Sequence, residues 1–243
     1  MKNHVPGSLA AILLTLLSGS AMAADLVRGA PHRTKAPTVA PAHNWTAIYV
    51  GIDGGGAGGA TRFDFLGFGT TTGDFSTTGG LVGGTFGANW QISNLVLGAE
   101  GDVDWANING SSTCPVATLT CATSEKWLGT ARARLGVASN EWLGYVTGGA
   151  AFGDVQIRVT GPALFPGQSV NRSGWAVGGG TEYEFAPAWS LKVEYLHVDL
   201  GTSGCGIPSC SAFSTANVPF HSEIVRAGLN YRLNGGGVGL GMY

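Results

Sequence analysis

Two histidines flank one long stretch of the chain that lacks a regular hydrophobic pattern. His197 and His221 lie on either side of it, and Ser222, Glu194 and Asp199 are close to them in sequence. A serine, a histidine and a carboxylate could form a hydrolase triad, but a triad is defined by geometry that spacing alone does not give. We favour the alternative that these are solvated residues at a loop edge. We therefore predict no catalytic residue.

A run of glycines from Gly54 to Gly59 satisfies the spacing G-x-G-x-x-G. A dinucleotide site of this kind needs a helix that begins directly after the glycines, because the helix N-terminus holds the pyrophosphate. No helical pattern follows Gly59. We interpret the run as a strand with little side-chain volume and predict no cofactor.

The chain has four cysteines, which fall into two close pairs. Close, even-numbered pairs in an exported protein are typical of local disulfides. A zinc site is the alternative, but histidines are missing at the usual ligand spacing. We therefore predict disulfides and no metal site, although three pairings are formally possible; the cysteines are Cys114, Cys121, Cys205 and Cys210.

The composition narrows the fold class. Charged residues make up 12% of the 243 residues, whereas an ordinary soluble domain has roughly 25%. The 41 glycines disfavour a helical bundle, since each costs about 1 kcal/mol inside a helix, and no collagen-like repeat absorbs them. The formal net charge is −2, whereas a nucleic-acid-binding protein typically carries a clustered positive charge.

The first residues resemble an export signal. Lys2 precedes the apolar run Leu9–Leu17, and Ala21-Met22-Ala23 is a small-x-small cleavage motif. We predict a signal peptide over residues 1–23, cut between Ala23 and Ala24. A proline-containing periplasmic leader is expected over 24–44, a β-barrel over 45–233 and a Gly-rich tail over 234–243. No later stretch is long enough for a spanning helix.

The rest of the chain alternates with the period of β-strands. In the third segment, Leu95, Leu97 and Val103 alternate with Glu100 and Asp102. One face is thus apolar and the other carries full charges. Eight such segments are predicted, near 46–59, 80–91, 95–105, 127–137, 142–153, 175–185, 189–195 and 225–233.

The charged faces allow two arrangements in a barrel. Eight strands enclose a lumen that side chains can fill, and paired buried charges are tolerated where isolated ones are not. We favour a packed charge network; the alternative is a narrow water-filled pore, for which inward glycines would leave space. The glycines are Gly51, Gly83, Gly87, Gly98, Gly136, Gly178, Gly180 and Gly228, and the charged residues are Glu100, Asp102, Asp104, Arg132, Arg134, Glu182, Glu184, Lys192, Glu194, Arg226 and Arg232.

Two features favour a membrane barrel over a soluble sandwich with its apolar face inside. Predicted short turns (92–94, 139–141, 186–188) alternate with long loops (60–78, 107–124, 155–171, 201–219), as in outer-membrane barrels. All seven tryptophans fall at predicted strand ends, where two interfacial girdles would place them. They are Trp45, Trp90, Trp105, Trp127, Trp142, Trp175 and Trp189.

The first long loop contains four phenylalanines among glycines and threonines. An exposed aromatic cluster could mark a contact surface, or strands one and two could simply continue beyond the bilayer. The residues are Phe63, Phe65, Phe68 and Phe75.

Four segments resemble the small porin-like, opacity-type outer-membrane β-barrel family of alphaproteobacteria. They are Trp45–Gly51, Trp142–Gly149, Trp189–Leu196 and Val225–Leu233. The resemblance implies an all-β fold, an eight-stranded antiparallel up-and-down transmembrane β-barrel, and recognition of its last strand by the barrel-assembly machinery. This chain departs from the usual aromatic ending, so the assembly signal is either the eighth strand or Tyr243.

The resemblance also sets the functional expectation, because the family is described mainly as surface and envelope-integrity proteins, with some porins. We expect a non-enzymatic protein of the bacterial outer membrane that supports the envelope and displays its loops. Expected partners are outer-membrane lipid and lipopolysaccharide, and neighbouring barrels or host surfaces. The alternatives are a narrow porin for small polar solutes and, more distantly, a lipid-modifying hydrolase.

Overall fold

The computed structural model describes residues 43–67, 69–115, 118–161, 166–207 and 215–233. Within these ranges, no helix is long and apolar enough to cross a membrane. The described residues form ten strands: β1 (Ala47–Thr61), β2 (Asp64–Phe65), β3 (Thr70–Thr71), β4 (Phe75–Ile92), β5 (Leu95–Thr113), β6 (Thr120–Ser139), β7 (Trp142–Thr160), β8 (Gln168–Ala186), β9 (Trp189–Cys205) and β10 (Ala216–Arg232).

Eight of the strands close into a ring. Each of β4 to β10 is antiparallel to the strand before it in the order β1-β4-β5-β6-β7-β8-β9-β10, and β1 pairs with β10, with Tyr49 opposite Arg232 and Thr61 opposite Phe220. The small β2–β3 hairpin adds to the start of β10, where Phe65 pairs with Ala216. The predicted eight-stranded antiparallel barrel is confirmed.

The alternation along β5 shows which face points inward. Glu100 and Asp102 are 3% and 4% exposed, whereas Leu97 and Val103 are 42% and 58% exposed. A closed barrel satisfies every backbone hydrogen bond between its strands, so an apolar outer wall of this kind is suited to lipid. Residues 54–59 of the glycine run lie within β1.

Three tight turns close one end of the barrel, at the positions that the sequence predicts. Ser93 and Asn140 have φ angles of 59° and 52°, in the left-handed region that two-residue hairpins require. Pro187 and Ala188 form the third turn, and Ala188 has a φ of 72°. In outer-membrane barrels such turns face the periplasm.

The strands are longer than the sequence analysis predicts, and the predicted long loops are too long. β5 continues to Thr113 and β6 begins at Thr120, although both residues fall within the predicted loop 107–124. The 19 residues of β5 exceed the roughly 9–11 that cross a bilayer. Trp105, Trp127 and Trp175 therefore lie within strands and not at their ends.

The alternation reverses its sense beyond Trp105. On β5, Asn107 and Asn109 are exposed while Ile108 is fully buried. On β7, Val155 and Ile157 are buried in the same way. This outer section of the barrel thus has a polar outside and an apolar inside, as a water-soluble barrel would.

Three layers fill the interior. The outer section contains a large apolar cluster that includes Phe63, Ile108 and Leu128; a charged layer lies at mid-height. At the end with the tight turns, Trp45 is 1% exposed and belongs to a small cluster with Leu143 and other residues. The prediction that Trp45 belongs to a lipid-facing girdle is therefore wrong, because its ring fills the barrel interior.

Three of the four phenylalanines of the first loop pack inside the barrel. Phe63 and Phe65 are buried, and the Phe63 ring stacks on the rings of Phe65 and Phe75 with centroids 6.2 Å apart. They complete the apolar cluster and do not form an exposed contact surface. Phe68 lies outside the described residues.

The signal peptide over 1–23, nearly all of the leader over 24–44 and the tail over 234–243 also fall outside the described residues, as does Cys210. These assignments stay predictions.

Candidate functional site

Arg132 is the centre of the charged layer. It lies on β6, and its guanidinium group donates hydrogen bonds to Glu100 Oε1 at 2.8 Å and Asp102 Oδ2 at 2.9 Å on neighbouring β5. It also donates to Glu194 Oε1 on β9 at 2.9 Å. The side chains of Arg132, Glu100 and Glu194 have no exposed surface.

Arg226 forms a second hub on β10. Its Nη1 atom lies 2.9 Å from Asp104 Oδ2, 3.1 Å from Asp102 Oδ1 and 3.3 Å from Asp53 Oδ1. Its Nε donates to Glu194 Oε2 at 2.9 Å. Asp102 and Glu194 each contact both arginines, so the two hubs form one network.

The remaining members bind Glu100 and Glu182. Lys192 Nζ donates to both oxygens of Glu100 at 3.1 Å. Arg134 donates to Glu182 Oε2 at 2.9 Å and stacks on the Tyr145 ring, with its Cζ 3.8 Å from the centroid. Aromatic rings and hydrogen bonds thus replace the water that these charges lose on burial.

Nine of the eleven predicted residues belong to this network. The network also includes Asp53 on β1, which the predicted set does not contain. The other two residues, Glu184 and Arg232, pair with each other near the tight turns. His43 Nε2 lies 3.0 Å from Glu184 Oε2, and Arg232 faces the Trp45 ring.

The inward glycines do not leave open space. A Cβ added to Gly83 would collide with the carboxylate of Asp104, and one added to Gly87 would collide with the hydroxyl group of Tyr49. These positions are glycine because other side chains already fill the adjoining volume. The argument that the glycines leave room for water in a pore is therefore wrong at these positions.

The candidate hydrolase residues do not converge. Ser222 is 2% exposed on the inner face of β10, whereas His221 is exposed on its outer face, since consecutive strand residues point to opposite sides. His197 Nδ1 lies 2.7 Å from Glu223 Oε1, and Glu194 belongs to the charge network. Ser222 and His221 are therefore separated by the barrel wall.

A family model described as "Outer membrane protein beta-barrel domain" matches residues 9–241. The chain belongs to this outer-membrane β-barrel family. Its location is accordingly the bacterial outer membrane, as the sequence predicts.

Curated relatives confirm the resemblance to alphaproteobacterial proteins. The chain is 39% identical to the "31 kDa outer-membrane immunogenic protein" of Brucella melitensis, over 96% of this chain and all of the relative. It is 31% identical to the "22 kDa outer membrane protein" of Rhizobium leguminosarum, over 66% of this chain and 67% of the relative.

Solved structures of outer-membrane barrels resemble it less closely. The outer membrane protein OprG from Pseudomonas aeruginosa is 12% identical with a TM-score of 0.48, covering 79% of this chain and 98% of that one. Neisserial surface protein A is 15% identical with a TM-score of 0.41, covering 76% and 97%.

One predicted disulfide of this outer-membrane protein is confirmed. Cys114 and Cys121 are bonded, with their Cα atoms 5.3 Å apart, and close the loop between β5 and β6. The bond excludes the zinc alternative for this pair. Cys205 is buried and disulfide-bonded; its pairing with Cys210 stays a prediction.

Six tryptophans lie on or near the outer wall. Trp90, Trp142 and Trp189 are 40–65% exposed beside the tight turns, and Trp105 and Trp175 are 74% and 49% exposed nearer the loops. Trp127 pairs with Trp105. These positions are consistent with two belts at the bilayer boundaries.

Sequence reasoning missed two buried charged residues in the outer section. Glu125 and Arg172 are 1% and 5% exposed, and Arg172 donates to the Gly201 carbonyl at 3.2 Å.

Outside the barrel, the hydrogen bond that Arg62 donates to Asp64 at 2.9 Å lowers the pKa of the Asp64 carboxyl group.

Proposed function

We propose that this protein is a non-enzymatic and non-conducting barrel that stabilises the outer membrane and displays its outer section at the cell surface. The observation that carries this proposal is the filled lumen. Arg132 and Glu194 bridge β6 and β9 within it, and neither side chain has any exposed surface. An apolar cluster lies above this layer and the Trp45 cluster lies below it.

The relatives support the display part of the proposal. Several are named outer-membrane immunogenic proteins. The strands of this chain extend past the outer tryptophans with a polar outside, and a disulfide closes one of the loops. A rigid structure of this kind holds its loops in fixed positions at the surface.

A narrow porin is the second candidate, and one observation favours it. Several buried polar atoms of the charged layer lack a hydrogen-bond partner, including Asp53 Oδ2, Asp104 Oδ1 and Arg134 Nε. Buried atoms of this kind are commonly satisfied by water. A continuous file of such waters would turn the charged layer into a path for small solutes.

The structural role is tested by deleting the gene and measuring sensitivity to detergent and to large antibiotics. We expect deletion to increase sensitivity and the wild-type gene to restore resistance. Complementation with a variant that lacks loop residues 115–118 should restore resistance equally, because the proposal assigns support to the barrel and display to the loops. Unchanged sensitivity after deletion would contradict the structural role.

Assembly is expected to depend on the last strand. β10 closes the ring by pairing with both β9 and β1, so we infer that the assembly machinery engages β10. Removal of residues 234–243 should leave the amount of folded protein in the membrane unchanged. Loss of assembly on this truncation would place the signal at Tyr243 instead.

A further inference from the structure

Two cationic side chains on the outer wall are exposed and have no ion-pair partner, unlike the other lysines and arginines in the described ranges. Of the nine lysines and arginines there, Arg132, Arg134, Arg172, Lys192 and Arg226 are buried. Arg62 and Arg232 form ion pairs. Lys126 and Arg158 are exposed and form no ion pair within the described residues.

These two cations lie in the same depression of the wall. It has a volume of about 550 Å³ and crosses β4 to β7. Besides Lys126 and Arg158, it is lined by hydroxyl and amide side chains that include Asn109, Ser124 and Gln156. None of its lining residues is acidic.

Register places the polar side chains between the cations. Asn109, Ser124 and Gln156 pair across three adjacent strands, and Arg158 pairs with Ala122 in the next row towards the loops. Lys126 and Ala122 are four residues apart on β6, about 13 Å along the strand. The depression therefore offers positive charge at both ends and hydrogen-bonding groups in the middle.

A β-bulge places Lys126 and Trp127 side by side on the outer face of β6. The register of β6 shifts between Glu125 and Leu128 relative to β7, and β5 has a matching irregularity between Trp105 and Ile108. Glu125 and Leu128 are buried, so both intervening residues, Lys126 and Trp127, lie on the outer side. Bulges commonly redirect a side chain in this way.

The height of the depression along the barrel shows which part of the membrane surrounds it. Lys126 directly follows the Trp105–Trp127 pair in the direction of the loops, and tryptophans of barrels mark the edge of the hydrocarbon layer. The depression therefore lies level with the headgroups of the outer leaflet. Asp154, the nearest acidic residue along the outer face of β7, accepts a hydrogen bond from Ser169 and does not line the depression.

We propose that the depression between Lys126 and Arg158 binds the anionic sugar headgroup of lipopolysaccharide. The two cations contact its phosphate or carboxylate groups, and the amide and hydroxyl groups between them contact its sugar hydroxyls. The acyl chains then extend past Trp105 and Trp127 along the apolar wall. This inference rests on the orientation in the proposed function, with the loops at the cell surface.

The test uses the refolded full-length chain in detergent micelles, titrated with fluorescently labelled lipopolysaccharide. The double variant K126Q/R158Q should bind about 30-fold more weakly, since each cation near an anionic lipid surface contributes about 1 kcal/mol and 1.4 kcal/mol is a factor of ten. The matched control R62Q removes an exposed cation that is already ion-paired, and should change affinity less than twofold. Heat-modifiable gel migration confirms that each variant is folded.

Labelled phosphatidylglycerol provides the second arm, because it carries a phosphate without the sugars. Its single phosphate can contact only one of two cations that lie about 13 Å apart, so its weaker binding should fall about fivefold in the double variant, which is the share of one cation. Wild-type affinity of K126Q/R158Q for lipopolysaccharide, an equal loss in R62Q, or an equal loss for phosphatidylglycerol would each overturn the proposed site. None of these results would bear on whether the lumen conducts, so the binding site and the non-conducting interior fail separately.

Discussion

Arg226 Nη1 donates a hydrogen bond to Asp104 Oδ2 at 2.9 Å, although the two residues are on strands that do not pair. β1 and β4 lie between β10 and β5 in the wall. The bond therefore crosses the lumen and links two separate parts of the barrel. Arg132 and Arg226 thus connect strands on opposite sides of the barrel through the charged layer.

Replacement of Arg226 by methionine should destabilise the barrel strongly. It would leave Asp53, Asp102 and Asp104 without their shared cation, and removal of one partner from a buried ion pair costs about 3–5 kcal/mol. The free energy of unfolding in denaturant, measured on protein refolded into vesicles, checks this. R62M is the control at an exposed position and should change it by less than about 0.5 kcal/mol. A loss below about 1 kcal/mol for R226M would show that the network contributes little to stability.

The turn at Ala188 should accept glycine at little cost. Ala188 has a φ of 72°, which costs a residue with a side chain roughly 1–2 kcal/mol. A188G should therefore change the free energy of unfolding by less than about 0.5 kcal/mol, because relief of the strain is offset by the greater flexibility of unfolded glycine and by loss of the methyl group of Ala188, which is 8% exposed. The matched variant A133G, within regular strand β6, should lower it by about 0.5–1 kcal/mol. A loss in A188G as large as that in A133G would contradict this explanation of the turn.

Removal of the Cys114–Cys121 disulfide should affect the loop more than the barrel. The bond closes a short segment between β5 and β6, so C114S/C121S should lower the free energy of unfolding by less than about 3 kcal/mol. Proteinase K added to intact cells should cut this loop faster in the variant. Equal cleavage rates would mean that the disulfide does not order the loop.

Neither Ser222 nor His221 should be needed for any change in lipid A. Ser222 faces the lumen and His221 faces outward, so a shared proton transfer between them is geometrically excluded. Mass spectra of lipid A from cells expressing wild type, S222A or H221A should be identical. A lipid A species present with wild type and missing with both variants would refute the non-enzymatic proposal.

Most of the strands that cross the bilayer could be predicted from the sequence because their apolar residues alternate with charged, polar or glycine residues, although the glycine-rich segment 142–153 does not show which of its faces points inward. The outer section could not be assigned from that rule, since Asn107, Ile108 and Asn109 alternate in the opposite sense. The reversal itself was the available signal: polar residues outside and apolar residues inside are expected once a barrel leaves the lipid.

Most members of the charged layer were predictable from the sequence, but their contacts were predictable only between neighbouring strands. Glu100 and Arg132 are paired across adjacent strands, and alternation predicts this. The contact of Arg226 with Asp53 and Asp104 depends on ring closure and on the register of β1 with β10, which the glycine-rich sequence of β1 does not encode visibly. Trp45 was misplaced for a related reason, because tryptophan at a strand end suits either an interfacial belt or an internal plug.

Single-channel recording on the refolded wild-type protein in planar bilayers tests the filled lumen most directly. The arrangement of Arg132, Glu194 and Arg226 predicts no stable conductance steps above those of bilayers that received only the refolding detergent. Reproducible steps of uniform size, seen with folded protein and abolished by heat denaturation, would contradict a closed interior and would support the narrow porin.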